Sequence, residues 1–272
     1  MIMTSQGRKC LYWTLTAYLC LQIISFGVVH AQEQGDDVRF DYGDGPNGPA
    51  HWGDLNVNWT KCKTGKYQSP MRITPDIMVT ASKLGDLDAE YSSEPVAANI
   101  SINVGYAVEV KVSPNSGLLK INGVRYRPQQ FHFHLGSEHK ILGHSFPMEL
   151  HLVHTSEEDP NVRAVIAWLF VKGEDSPFLA QFDGKLPKPD SYPRIFSLPS
   201  ITLPKLEESY ARYQGSLTTP PCSEGVTWTV MLWNFPTISE RQIQMFKAAM
   251  PKENVRPSMP SHGRRFRIHA DS

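Results

Sequence analysis

The histidines are concentrated in one stretch of the chain. Six of the ten lie between His132 and His154. Imidazole is a common zinc ligand and the side chain whose ordinary titration lies closest to neutral pH, so this cluster indicates metal binding or proton transfer. Histidines that only satisfy their own hydrogen bonds in a core are the alternative. That alternative is disfavoured because the cluster also contains Gln130, Glu138 and Glu149.

Their spacing limits which histidines can converge. His132 and His134 are two residues apart, so on a β-strand they share one face. His151 and His154 are three apart and would point to opposite faces, so only one of them can join the first pair. Three histidines leave one tetrahedral position open for water, which is the arrangement of catalytic zinc. The pattern therefore predicts a Zn²⁺ cofactor.

Two polar residues are placed to orient these rings. Gln130 and Glu149 each precede a candidate ligand by two residues, which puts them on the ligand face of their strands. A metal-bound histidine usually donates its second ring N–H to such an acceptor. We therefore expect both side chains to hold ligand rings in position.

Short strand patterns surround the histidines, and helical patterns are few. The strand patterns cover residues 100–104, 107–112, 118–126, 131–134, 149–154, 162–171 and 226–233. Asn122-Gly123 predicts a tight hairpin turn, and the long apolar run at 162–171 predicts a strand buried on both faces. One helix is predicted over residues 240–249, capped by Ser239 and ended by Pro251. The fold class is mainly β (α+β), with a few short surface helices.

The first 31 residues have the features of a secretory signal peptide. Arg8 and Lys9 precede a mostly apolar stretch, residues 11–29, and Val29-His30-Ala31 offers a cleavage site near Ala31. We predict a single mature domain over residues 32–272, secreted or held in the secretory pathway. An uncleaved membrane anchor is the alternative for the leader, and no membrane span is expected in the mature chain.

Removal of the leader would leave two cysteines, Cys62 and Cys222. An even pair in an oxidising route predicts one disulfide, and two free buried thiols are the alternative. The triplets that begin at Asn58 and Asn99 are glycosylation sequons.

The charge balance excludes some partners. The chain has 27 basic and 27 acidic residues, and its one mildly basic stretch, residues 252–267, is too weakly charged for a polyanion groove. We therefore expect no nucleic-acid partner.

Longer motifs make the chain resemble the α-class carbonic anhydrases over roughly residues 40–269. The matching segments are residues 48–53, 68–70, 130–139, 149–154, 213–228 and 254–257. The short spacer between His134 and Glu138, with the segment 52–55, is most similar to secreted plant-type members. The resemblance implies one large, twisted, mostly antiparallel central sheet.

Family roles follow residue by residue from this resemblance. It implies that His132, His134 and His151 bind zinc, and that Gln130, Glu149 and the carbonyl of Asn254 orient them. Thr218 would accept a hydrogen bond from zinc-bound hydroxide and donate one to Glu138. It also implies that Cys62 pairs with Cys222, and that His139, His154 and Tyr213 have structural roles. The residues that would form the apolar substrate-binding wall are Val153, Val165, Leu217, Val226 and Trp228. Thr219 would be a further substrate-binding residue, in the solvent network beside the wall.

The implied reaction is the reversible hydration of carbon dioxide to bicarbonate and a proton, so the resemblance predicts an enzyme, a zinc lyase. Zinc-bound hydroxide would attack carbon dioxide, with sulfonamides and anions as inhibitors. Tyr106 occupies the proton-shuttle position that histidine holds in the fastest members. Phenols titrate near pH 10 in general, so we expect slower, buffer-dependent proton transfer.

Two other functions stay open. Dioscorins, the yam tuber storage proteins, share the fold with weak or absent zinc chemistry, so a storage or binding role is the main alternative. Another zinc hydrolase is the second, although no peptide-binding motif accompanies the site. The sequence is compatible with a monomer or a dimer.

Overall fold

The computed structural model describes residues 39–81, 84, 87–104, 106–206 and 208–269. The predicted signal peptide and its cleavage site lie outside these residues. No helix in the described part of the chain is long and apolar enough to cross a membrane.

Strands account for most of the regular structure. In chain order they are β1 (Arg72–Ile73), β2 (Met78–Thr80), β3 (Asp88–Tyr91), β4 (Val96–Ile102), β5 (Val108–Val112), β6 (Gly117–Ile121), β7 (Val124–Leu135), β8 (Lys140–Ile141), β9 (Met148–Ser156), β10 (Arg163–Lys172), β11 (Ile195–Ile201), β12 (Tyr210–Ser216), β13 (Glu224–Met231), β14 (Thr237–Ile238) and β15 (Phe266–His269). The α-helices are α1 (Trp52–Leu55), α2 (Lys61–Thr64), α3 (Pro177–Ala180) and α4 (Glu240–Ala249). Single 3-10 turns cover Val57–Trp59, Pro75–Ile77 and Pro114–Ser116.

One large sheet organises the described residues. Its main path runs in the order β11-β4-β5-β7-β9-β10-β13-β12-β15-β2. Neighbours on this path are antiparallel except at β10–β13 and β15–β2. The prediction of a mainly β fold with a large, mostly antiparallel sheet and few short helices is confirmed.

Short sequence motifs predicted one turn and one helix correctly. Asn122 and Gly123 have φ values of 50° and 82°, the left-handed conformation that the turn between β6 and β7 requires. α4 begins after Ser239, whose side chain forms a capping box with Gln242. Both predictions are confirmed.

Among the strands of five or more residues, β11 and β12 were not predicted. β11 contains Pro199 and is mostly exposed, so it lacks an apolar alternation. β12 is buried at almost every position, so its pattern also lacks the period of two on which strand prediction depends.

The sheet separates two apolar layers. On β10, Val165 and Ala167 belong to one layer, whereas Ala164 and Ile166 belong to the other. Their burial confirms the prediction of a strand hidden on both faces. The layer with Val165 lies on the face of the sheet that carries the histidine cluster, and the opposite layer also contains Phe246 of α4.

Candidate metal centre

Adjacent strands bring three histidines together. His132 and His134 lie on β7, and His151 lies directly opposite His132 on β9. Each ring offers a nitrogen, and these three atoms lie within 4.8 Å of one another. His134 Nε2 is 3.1 Å from His151 Nδ1. His134 and His151 are buried and His132 is half-buried, so the cluster has one partly open side.

The second nitrogen of each ring donates to a fixed acceptor. His132 Nδ1 donates to Gln130 Oε1 at 2.9 Å, and His151 Nε2 donates to Glu149 Oε1 at 2.7 Å. His134 Nδ1 lies 2.5 Å from the carbonyl oxygen of Asn254. These contacts leave Nε2 of His132 and His134, and Nδ1 of His151, free to face one another. The three contacts match the orienting roles that the resemblance implies.

Asn254 is itself held in place. Its side-chain Nδ2 donates to the carbonyl of Phe133 at 2.8 Å, and its Oδ1 accepts from the backbone N–H of Leu135 at 3.1 Å. Because Phe133 and Leu135 flank His134 on β7, the amide joins this loop to the strand that carries the ligand. The ring of His134 therefore has a rigid partner from a distant part of the chain.

A buried hydrogen-bond chain extends from Glu149. His139 donates to this carboxylate twice, from Nδ1 at 2.6 Å and from its backbone N–H at 2.8 Å. His139 Nε2 is 2.7 Å from the Tyr213 hydroxyl, which is 2.9 Å from Ser69 Oγ. Burial opposes ionisation of Glu149, but His139 and His151 together hold its pKa well below the usual range. The chain thus keeps a carboxylate ionised behind His151.

The cluster favours neutral imidazoles. Burial, with the proximity of His134 and His151, holds the pKa of His132 well below its ordinary value. Burial also lowers the pKa of His151. Neutral imidazole is the form that binds a metal ion, so the cluster is electrostatically prepared for a cation.

The donor set fits Zn²⁺. Three imidazole nitrogens with one open position are a frequent protein site for catalytic zinc. Glu138 Oε2 adds a second indication, because this buried oxygen has no hydrogen-bond partner among the described residues. It lies 3.7 Å from His134 Nε2 and 3.9 Å from His151 Nδ1. An unpaired buried carboxylate oxygen beside the ring nitrogens of His134 and His151 is suited to a neighbouring cation.

One predicted contact is absent. The resemblance implies a hydrogen bond from Thr218 to Glu138, but Glu138 Oε2 accepts none in the described structure. Its other oxygen accepts from the backbone N–H of Arg256 at 2.8 Å. The carboxylate is therefore oriented by Arg256, with its free oxygen facing the ring nitrogens of the cluster. Thr218 itself is buried, just after β12.

The predicted substrate wall forms one apolar layer. Val153, Val165 and Trp228 are aligned across β9, β10 and β13, each directly opposite the next. Val226 belongs to the same buried cluster and Leu217 packs against it. Because Val153 lies two residues after His151 on β9, this wall lies on the ligand face. Thr219 is half-buried, and its carbonyl accepts from the Cys222 backbone N–H at 2.9 Å.

Tyr106 has a constrained position. It is half-buried, has a φ of 59°, and packs against an aromatic cluster that includes Tyr42 and Trp52. Lys252 Nζ lies 4.2 Å from the centre of its ring, which is a cation–π distance.

Other predicted positions have clear surroundings. Cys62 and Cys222 form a disulfide with a Cα–Cα distance of 5.0 Å, as predicted. Asn58 and Asn99 are both exposed, and glycan attachment stays a prediction. His154 lies on the opposite face of β9 from the cluster, where its Nε2 is 2.7 Å from the Tyr91 hydroxyl.

The sequence predicts no role for Arg256, although its segment, residues 254–257, matches the family. This buried residue orients Glu138, and its guanidinium donates to the carbonyls of Ser69 and Cys62. Burial lowers its pKa to about 10. The sequence signal for it was its place in a family-matching motif, two residues after the predicted orienting residue Asn254.

Comparisons with known proteins agree with this geometry. Residues 47–269 match the family model described as eukaryotic-type carbonic anhydrase. The chain is 36% identical to dioscorin DB3S of Dioscorea polystachya, over 83% of this chain and 85% of the relative. It is 35% identical to a carbonic anhydrase of Neisseria gonorrhoeae, over 92% and 94% of the two chains.

Comparison with a solved structure supports the same family. The α-carbonic anhydrase of Thermovibrio ammonificans, in complex with the inhibitor sulfanilamide, superposes with a TM-score of 0.74 at 32% identity. The alignment covers 86% of this chain and 99% of that one. The chain therefore belongs to the eukaryotic-type, or α-class, carbonic anhydrase family.

Proposed function

We propose that this protein catalyses the zinc-dependent, reversible hydration of carbon dioxide to bicarbonate and a proton. The observation that carries the proposal is the convergence of three ring nitrogens within 4.8 Å beside a buried apolar wall. Membership of the carbonic anhydrase family supports the same reaction.

His132, His134 and His151 would hold the cofactor. Bound Zn²⁺ would lower the pKa of a water ligand to about 7 and so supply a hydroxide nucleophile at neutral pH. Gln130, Glu149 and the Asn254 carbonyl keep the three rings in the geometry that presents their free nitrogens. Because Glu149 and Asn254 are themselves held by further hydrogen bonds, little reorganisation is needed when the cation binds.

The apolar wall would hold the substrate. Carbon dioxide has no net charge or dipole, so a water-excluding surface of Val153, Val165 and Trp228 suits it better than a hydrogen-bonding pocket. Leu217 and Val226 would extend this surface. We place Thr218 and Thr219 at its edge, with the Thr218 hydroxyl as an acceptor for a hydrogen bond from the attacking oxygen. Such a contact would orient the nucleophile toward carbon.

Proton export would be the slow step. Tyr106 occupies the shuttle position, and a phenol is a poor proton relay at neutral pH. Its packing and its contact with Lys252 further restrict its motion. Turnover should therefore rise with buffer concentration. Replacing Tyr106→His should raise turnover several-fold at low buffer and little at high buffer, and equal rates at low buffer would contradict the assignment.

Inhibitor binding follows from the same site. An open metal position would bind anions and deprotonated sulfonamides. The test is stopped-flow hydration on purified protein, at low and high buffer, with and without a sulfonamide, and with zinc determined on the same sample. One zinc per chain and sulfonamide-sensitive turnover would support the proposal.

We also propose entry into the secretory pathway, with cleavage near Ala31. The Cys62–Cys222 disulfide and the exposed sequon asparagines Asn58 and Asn99 support it. Intact mass and N-terminal sequencing of protein from a eukaryotic host would test both cleavage and glycan occupancy. Size-exclusion chromatography with light scattering would decide between a monomer and a dimer.

A storage or binding role is the second candidate. Similarity to a dioscorin favours it, since the family contains members under that name. It predicts a chain that stays free of zinc after zinc is supplied and shows no turnover above background. The intact three-histidine cluster argues for the enzyme.

A further inference from the structure

The face of the sheet that carries the histidines continues onto the neighbouring strand. On β5, Glu109 lies directly opposite His132, and Lys111 lies opposite Gln130. Directly opposed residues in a β-ladder project from the same face. A carboxylate and an ammonium group therefore flank the ligand row, one strand spacing of about 4.8 Å away.

The carboxylate is fixed and the ammonium is not. Glu109 Oε2 accepts from Asn103 Nδ2 at 3.3 Å, and Glu109 Oε1 lies 3.8 Å from Lys111 Nζ. Asn103 is anchored in turn, because its Oδ1 accepts from the backbone N–H of Ala107 at 3.0 Å. The Glu109 side chain is only 14% exposed, whereas that of Lys111 is 62% exposed.

This difference in exposure leaves a net negative field at the site. A charge shielded from water is screened less than an exposed one, so Glu109 acts over a longer range than Lys111. An exposed partner such as Lys111 offsets only part of it. An anion bound at the three histidines would therefore be repelled by Glu109, whereas neutral carbon dioxide would not.

On this basis, and resting on the function proposed above, we propose that Glu109 is a specificity determinant that weakens anion binding at the metal site. The anions affected are the bicarbonate product and simple inhibitory anions. Lys111 partly offsets the effect. The arrangement favours a neutral substrate and the departure of a charged product.

The test is calorimetric titration of thiocyanate into the purified zinc-loaded protein, with zinc content measured on each sample. Glu109→Gln keeps the shape and the hydrogen-bond acceptor but removes the charge. We expect its Kd for thiocyanate to fall roughly fivefold. Lys111→Met should raise the Kd by about twofold, because it removes the offsetting charge. Glu94→Gln is the control for net charge, because it removes an exposed carboxylate from a different surface loop. It should leave the Kd unchanged.

The outcomes separate this inference from the function on which it rests. A parent protein that binds no zinc when zinc is supplied overturns both. Full zinc occupancy with an unchanged or larger Kd in Glu109→Gln overturns the inference alone, and so does tighter thiocyanate binding in Lys111→Met. Because the two variants are expected to shift the Kd in opposite directions, a general loss of folding cannot imitate the expected result.

Discussion

The two faces of strand β9 meet different surroundings, although their residues alternate along one short segment. On one face, Glu149 and His151 belong to the polar cluster. On the other, Leu150 and Leu152 lie in an apolar layer with His154 close by. His151 has a carboxylate acceptor and two histidine neighbours, whereas His154 contacts a tyrosine hydroxyl and a backbone carbonyl. Two histidines three residues apart thus have different roles because a strand alternates its faces.

Loss of a ligand from the polar face should have the largest effect. His151→Ala removes one of three zinc ligands, so about a third of the zinc-binding free energy should be lost. Since that free energy is typically about 10–16 kcal/mol, zinc affinity should fall roughly a thousandfold. Turnover should fall to background. Metal analysis after dialysis against a weak chelator measures this. His154→Gln on the opposite face is the matched control and should retain full zinc, so zinc loss in both variants would contradict the distinction.

The carboxylate behind His151 should matter next. Glu149→Gln keeps the shape but removes the charge that favours the metal-bound ring, so zinc affinity should fall about 10- to 100-fold. Competition with a zinc-sensitive dye measures the affinity. Glu94→Gln provides an exposed comparison. Unchanged zinc affinity in Glu149→Gln would show that the hydrogen bond to His151 is structural only.

On the opposite face of β9, His154 should affect the pH dependence of folding stability and not zinc binding. Burial lowers the pKa of His154 to about 4. Between pH 6.5 and 4 the unfolded chain therefore binds a proton that the folded chain excludes, so folding stability falls as the pH falls. This group should contribute a loss on the order of 3 kcal/mol. Urea unfolding at several pH values should show a smaller loss in His154→Gln than in the parent, and equal losses would contradict the assignment.

Strand β10 also has one residue row on each face of the sheet, and changes there should have the smallest effect on activity. Val165→Ala trims the proposed substrate wall, and Ile166→Ala trims the opposite layer. Each should lower the free energy of unfolding by about 1–4 kcal/mol. Only Val165→Ala should also lower kcat/KM, by about fivefold, since the loss of two methyl groups weakens substrate contact. A matching loss of kcat/KM in Ile166→Ala would show that the two layers are not functionally distinct.

Much of the site was predictable because strand periodicity is local. The spacing of His132 and His134 placed them on one face, and the positions of Gln130 and Glu149 placed their oxygens beside the rings. Periodicity alone could not choose between His151 and His154. That choice depends on the register between β7 and β9, which places His151 directly opposite His132.

Other contacts cannot be predicted from residue types, because they use backbone groups or pair distant strands. The acceptor for His134 is the backbone carbonyl of Asn254, 120 positions away, and any residue could supply a carbonyl. The parallel pairing of β10 with β13 joins segments separated by a long connection, which local patterns do not reveal. Glu138 is oriented by the backbone N–H of Arg256, a donor that almost any residue could supply. Family resemblance supplied the residues here, and the hydrogen bond that it implies from Thr218 to Glu138 is not formed in the described structure.

The most direct test of the central claim is metal removal and return. Purified protein would be stripped with a chelator, and zinc would then be added back in steps while bound zinc and carbon dioxide hydration are measured on the same samples. Activity should be absent from the stripped protein and should rise in proportion to bound zinc up to one ion per chain. Zinc that binds without restoring turnover, or turnover that does not depend on zinc, would contradict the account.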